Sequence, residues 1–261
     1  MRKTRFIIAA ALIAVFGFSA VAYAQTSIAT HGSVSTTGGS KKHPKSGGLT
    51  FGFDVTDPAG TQPAPLETYK IGFEGGRMNL NVKKSCPAAK INAANGGDDS
   101  VCSKKSLIGS GTLKAVVGGT GQPLGDALPC EAKLRLYAAG KKNAALFVDA
   151  PLATCPAEIH QAIPMDYFSE NNVSGLEFSV PQELRHQIGL DVTVVSTEVT
   201  IPKYTKTTKK VVRKHHHKKV KKKKVGLLES IGCSDDTRDL VTVFTDEAGT
   251  QYPVTTPVGK C

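Results

Sequence analysis

The densest chemistry in this 261-residue chain is one basic run, Lys209-Lys210-Val211-Val212-Arg213-Lys214-His215-His216-His217-Lys218-Lys219-Val220-Lys221-Lys222-Lys223-Lys224. It holds ten lysines and arginines and no acid. Dense like charge repels itself, which predicts an extended, solvated loop over 205–224. Such a segment attracts polyanions through charge alone, without reading a sequence. No aromatic side chain interleaves with the lysines, so base stacking and specific nucleic-acid recognition are not expected. A solvating loop without a dedicated ligand explains the same composition, and both readings stand at this point. His215, His216 and His217 are weak metal candidates. Adjacent side chains of an extended segment point different ways, and the cationic neighbours oppose a divalent ion.

Other reactive residue types are scattered. Gly109-Ser110-Gly111 lacks the full G-x-S-x-G pattern and sits in a strand-like run. His160 lies near Glu158, and His186 near Glu183, with no nucleophile marked beside either. Asp54 with Asp57, and Asp98 with Asp99 and Asn95, could offer oxygens to calcium. Neither set has EF-hand spacing, and turn chemistry explains both. Asn172-Val173-Ser174 matches a glycosylation acceptor sequence. No catalytic residue and no cofactor is assigned.

The cysteines point to a compartment. Six are present, none in a C-x-x-C pair, which argues against zinc. The first 24 residues read as a signal peptide. Arg2, Lys3 and Arg5 precede the apolar stretch Phe6 to Phe18, and Ala22-Tyr23-Ala24 fits the cleavage rule. Cleavage would leave no transmembrane anchor, and an even cysteine count in an exported chain predicts three disulfides. The net charge of +11 is uneven. Outside the signal segment and the basic run, 20 cations face 22 acids. The remainder is near neutral and carries one cationic appendage.

The elements that must position these residues are short and alternating. Residues 25–48 are rich in Ser, Thr, Gly and Lys and read as a flexible arm, with a short edge strand at Ser33-Val34-Ser35. From Leu49 onward, Phe51, Phe53 and Val55 alternate with small or polar residues, as do Tyr69, Ile71 and Phe73. Met78, Leu80 and Val82 continue the pattern. Cys86 and Cys102 bracket a polar excursion between strand-like runs, which predicts a stapled loop. A hairpin turning near Lys141 mirrors Cys130 to within a few residues of Cys155. A second, turning near Glu247, mirrors Cys233 onto Cys261. Pro87 and Pro181 open short helical turns. Val192 to Ile201 is the longest β-branched run. The sum is an all-β fold: an antiparallel β-sandwich with Ig-like or jelly-roll-like character, one or two short helices and a long basic loop, in a single domain over 49–261.

Three segments taken together carry a resemblance. Lys41-Lys42-His43-Pro44 leads into a strand, and Cys102-Ser103-Lys104-Lys105-Ser106-Leu107-Ile108-Gly109-Ser110-Gly111 follows Cys86. Gly226-Leu227-Leu228-Glu229-Ser230-Ile231-Gly232-Cys233 precedes the last strands. These resemble secreted β-rich proteins of actinobacteria, a group without an assigned activity. The resemblance implies an exported bacterial protein whose His/Lys run is a local elaboration. The functional expectation is a secreted, non-enzymatic protein that associates with anionic envelope polymers or surfaces through Lys209, Lys210, Arg213, Lys214, Lys218, Lys219, Lys221, Lys222, Lys223 and Lys224. The alternative is a protein-interaction β-sandwich with the basic loop incidental. A hydrolase of unrecognised type is the distant third.

Overall fold

The structure, a computed structural model, describes residues 26–214 and 217–261, with the backbone alone for 210–214 and 217–221. The expected signal segment, and His215 and His216, lie outside the described residues. Among the described residues seventeen strands and two short α-helices follow in order. They are β1 (Ser27–Val34), β2 (Lys45–Gly47), β3 (Leu49–Thr56), β4 (Leu66–Glu74), β5 (Gly76–Met78), α1 (Ala88–Asn92), β6 (Leu107–Gly118), β7 (Leu128–Ala138), β8 (Asn143–Ala150), β9 (Ile159–Glu170) and β10 (Val173–Ser179). Then come α2 (Gln182–Arg185), β11 (His186–Gln187), β12 (Leu190–Ile201), β13 (Thr205–Lys214), β14 (His217–Gly226), β15 (Leu228–Ser230), β16 (Thr237–Asp246) and β17 (Gln251–Lys260).

The antiparallel, all-β architecture expected from the alternation is the one that forms. One long sheet runs β1-β3-β12-β6-β7-β8-β9-β10-β4-β16-β17, with β11 paired to β12. Its two edges curl toward each other. Thr30 Oγ1 on β1 lies 2.6 Å from Thr256 Oγ1 on β17, and the Gly38 N–H donates to the Cys261 carbonyl. The result is a nearly closed barrel, which leaves little unpaired edge. A three-stranded sheet, β2-β15-β5, covers one end.

Alternation sets which side chains face inward. Phe53, Tyr69 and Phe244 meet inside the barrel, with ring centroids 4.9–5.9 Å apart, and Phe178 stacks on Tyr69 at 4.9 Å. Offset and edge-on aromatic contacts of this kind add to the burial term. β8 is buried on both faces. Leu146 and Val148 face the main core, while Ala145 and Phe147 join Cys86, Ala88, Ile91 and Tyr137 beneath α1. The stapled loop therefore lies on the outside of β7–β9. All three disulfides join the expected neighbours: Cys86–Cys102, Cys130–Cys155 and Cys233–Cys261.

Several expectations need correction. Residues 27–34, expected in a flexible arm, form β1 and pair with β3 along the full register from Ser27–Thr56 to Val34–Leu49. The segment is polar because it is an edge strand with one exposed face, so its composition resembles that of a mobile tail. Leu80 and Val82 are buried but belong to a 3-10 turn, because β5 pairs with β15 and the chain must then turn away. The basic stretch is not an irregular loop. It is the ribbon β13–β14.

Candidate functional site

β13 and β14 pair residue for residue from Thr205–Gly226 to Lys214–His217. In that register Lys209 stands opposite Lys222, Lys210 opposite Lys221, and Arg213 opposite Lys218. Like charges directly across a ladder destabilise it. A two-stranded ribbon has little stability of its own in water. The expectation of a loop rests on that self-repulsion, but the register also sets one β-branched residue opposite another. Val211 stands opposite Val220, and Thr208 Oγ1 donates to the Lys223 carbonyl at 3.1 Å. Lys209, Lys222, Lys223 and Lys224 are exposed. Lys210, Arg213, Lys214, Lys218, Lys219 and Lys221 occupy strand positions along the same ribbon, and His217 opens β14.

The base of the ribbon is fixed firmly. The Leu227 N–H donates to the Tyr204 carbonyl at 2.8 Å, and Leu227 is fully buried. Asn79 Nδ2 donates to the Gly226 carbonyl at 2.8 Å. Glu229 Oε1 accepts from the Gly226 N–H at 3.0 Å, while its Oε2 takes Arg77 and Asn79. Burial alone would raise the Glu229 pKa, but the bonds from Arg77, Gly226 and Asn79 hold it below the usual carboxylate range.

The scattered candidates take structural roles. His160 sits between Asp149 at 3.0 Å and Glu158 at 3.1 Å. His186 lies 2.9 Å from Asp191 and 2.7 Å from Glu247, and Glu183 instead accepts from Gln161 at 3.2 Å. Ser110 pairs with Arg135 and Thr200 in mid-sheet and is exposed, with neither histidine bonded to it. Asp57 accepts from the Ala59 N–H and from Thr61, and Asp98 from the Ser100 N–H, as turn chemistry requires. Asp99 does more. It binds Arg135, and it accepts from the Tyr137 hydroxyl at 2.6 Å, tying the stapled loop to β7. Asn171 and Asn172 both have positive φ and make the tight turn between β9 and β10. Among the described residues no group of three His, Cys, Asp or Glu side chains is placed to hold a metal.

One feature escaped sequence reasoning. A cavity of about 160 Å³ lies inside the barrel, lined mainly by apolar side chains. Arg238 lines its end beneath the small sheet. Arg238 is 2 % exposed, yet it makes no ion pair among the described residues. Its Nη1 donates to the Glu74 carbonyl at 2.9 Å and its Nη2 to Ser230 Oγ at 2.6 Å, while Nε has no protein partner. Burial pulls its pKa down from the usual arginine value, partly offset by the Glu74 charge nearby. The available signal was the phase of β16. Arg238, Leu240, Thr242, Phe244 and Asp246 form the buried face, and Val241 and Val243 the half-buried one. A reader who follows the valines places the arginine outside.

Compared with protein-family models, curated proteins and solved structures, the chain matches none. Among the described residues no helix is long and apolar enough to cross a membrane. Three disulfides accord with an oxidising compartment.

Proposed function

We propose that this is a secreted, non-enzymatic protein that associates with anionic cell-envelope polymers or surfaces through the β13–β14 ribbon. The observation that supports this reading is the ribbon's register, which sets cation opposite cation with no acid from residue 205 to residue 228. A polyanion laid along the ribbon relieves that repulsion and releases its own counterions. Regular strand structure spaces the charges along a semi-rigid arm, and a fixed base keeps the arm on one side of the barrel. The cell-envelope setting follows from the signal-like leader and the actinobacterial resemblance. A protein-interaction module with an incidental ribbon is the rival reading.

The test is co-sedimentation with isolated Gram-positive cell walls. Intact protein is compared with a variant in which residues 207–224 are replaced by a Gly-Ser turn, at low and high salt. Intact protein should pellet at low salt and be released at high salt, with the variant staying in solution throughout. Equal pelleting of both proteins would overturn the proposal.

A further inference from the structure

We infer that the barrel interior binds a small anionic amphiphile, an alkyl carboxylate, with its tail in the apolar cavity and its head at Arg238. The cavity is walled by residues from most of the barrel's strands, among them Leu134, Ile163, Leu176 and Val199. Its volume of about 160 Å³ matches engineered apolar cavities that take up a benzene-sized molecule. That corresponds to a linear tail on the order of four to six carbons.

The arginines decide which end holds the head. Three of them line the cavity: Arg77, Arg185 and Arg238. Arg185 lies at the far end and is engaged by Glu247, by Glu67 and by the Val180 carbonyl. Arg77 is taken by Glu229. Arg238 alone of the three bonds only neutral oxygens and retains an Nε–H without a protein partner. A buried cation in that state is costly unless an anion joins it. The carboxylates nearby are otherwise engaged, Glu229 as above and Glu74 by the backbone N–H and hydroxyl of Ser234. One free donor suits one carboxylate oxygen. Thr197 Oγ1, 6 % exposed and also in the cavity wall, is a second polar atom without a protein partner.

The experiment is calorimetric titration of the purified protein with butanoate, hexanoate and hexanol, in high salt to suppress binding at the ribbon. Hexanoate should bind with one-to-one stoichiometry, at least about ten-fold more tightly than butanoate or hexanol. The ribbon-replaced variant should bind it equally well, which separates this site from the polyanion surface. Arg238→Met should bring hexanoate down to the affinity of hexanol. If that variant does not fold, the comparison of hexanoate with hexanol on the native protein still decides. Equal binding of acid and alcohol, no binding of hexanoate, or loss of binding with the ribbon would each overturn the inference.

Discussion

Arg238 Nη2 donates to Ser230 Oγ at 2.6 Å, and the same hydroxyl donates to the Gly38 carbonyl at 2.6 Å. Ser230 ends β15, the strand that follows directly from the basic ribbon. One hydroxyl thus joins the buried arginine, the N-terminal segment and the base of the cationic arm. Ser230→Ala strands the buried Arg238 Nη2 and removes the donor to the half-buried Gly38 carbonyl, so it should cost about 1–3 kcal/mol in urea unfolding, with the denaturant slope unchanged.

Within the ribbon, stability and binding should move in opposite directions. Lys222→Glu turns the like-charged pair with Lys209 into an opposite-charged one. We expect stronger amide protection across the ribbon, by about 0.2–1 kcal/mol in hydrogen exchange. The same change should weaken association with cell walls and make it less salt-dependent.

Acid should loosen the barrel at the ribbon base and at the opposite end. In the folded protein Glu229 titrates below its usual range, because Arg77, Gly226 and Asn79 outweigh burial. Glu74 is also held down, chiefly by Ser234. At Asp191 burial opposes the shift, but bonds from Thr120 and His186 prevail and again lower the pKa. The unfolded chain binds these protons first as pH falls. The stabilisation is therefore complete above the unfolded carboxylate values of about 4 and is lost as pH drops through the lower folded ones. Unfolding free energies measured from pH 7 to pH 2 should fall along this limb. Glu229→Gln should flatten it and cost about 2 kcal/mol at pH 7.

The stapled loop has two independent anchors, the Cys86–Cys102 bond and the Asp99 contacts with Arg135 and Tyr137. Burial and the Asp99 carboxylate push the Tyr137 pKa up, which keeps its hydroxyl a donor. Replacing both cysteines by serine should cost about 3 kcal/mol. Asp99→Asn should cost a further 1–3 kcal/mol or so. Together they should expose Phe147 and raise dye binding to apolar surface, which either change alone should leave small.

The Cys233–Cys261 bond ties the residue after β17 to the segment between β15 and β16, and the Cys261 carbonyl accepts from the Gly38 N–H just beyond β1. Its removal should be felt at both edges of the long sheet. Hydrogen exchange should rise in β1 and β17 well before it rises in β8, which is buried on both faces.

Local alternation and turn chemistry made the fold class legible. Phe51, Phe53 and Val55 follow the two-residue period of a strand, and hairpins centred near Lys141 and Glu247 located their own disulfide partners. These are short-range constraints, written within a few residues of where they act. The ten cations of the basic run are likewise plain in the sequence, since charge density needs no fold to be counted. The tertiary structure decided what depends on distant neighbours. The polar segment Ser27–Val34 is an edge strand because β3 offers it a complete ladder. The basic run is a ribbon because Asn79, Tyr204 and Glu229 fix its base. Arg238 became a buried cation without an ion pair among the described residues when a half-turn in the phase of β16 set it, and not its valine neighbours, on the inside. A strand's period says that its faces differ, and only the partners packed against it decide which face is the core.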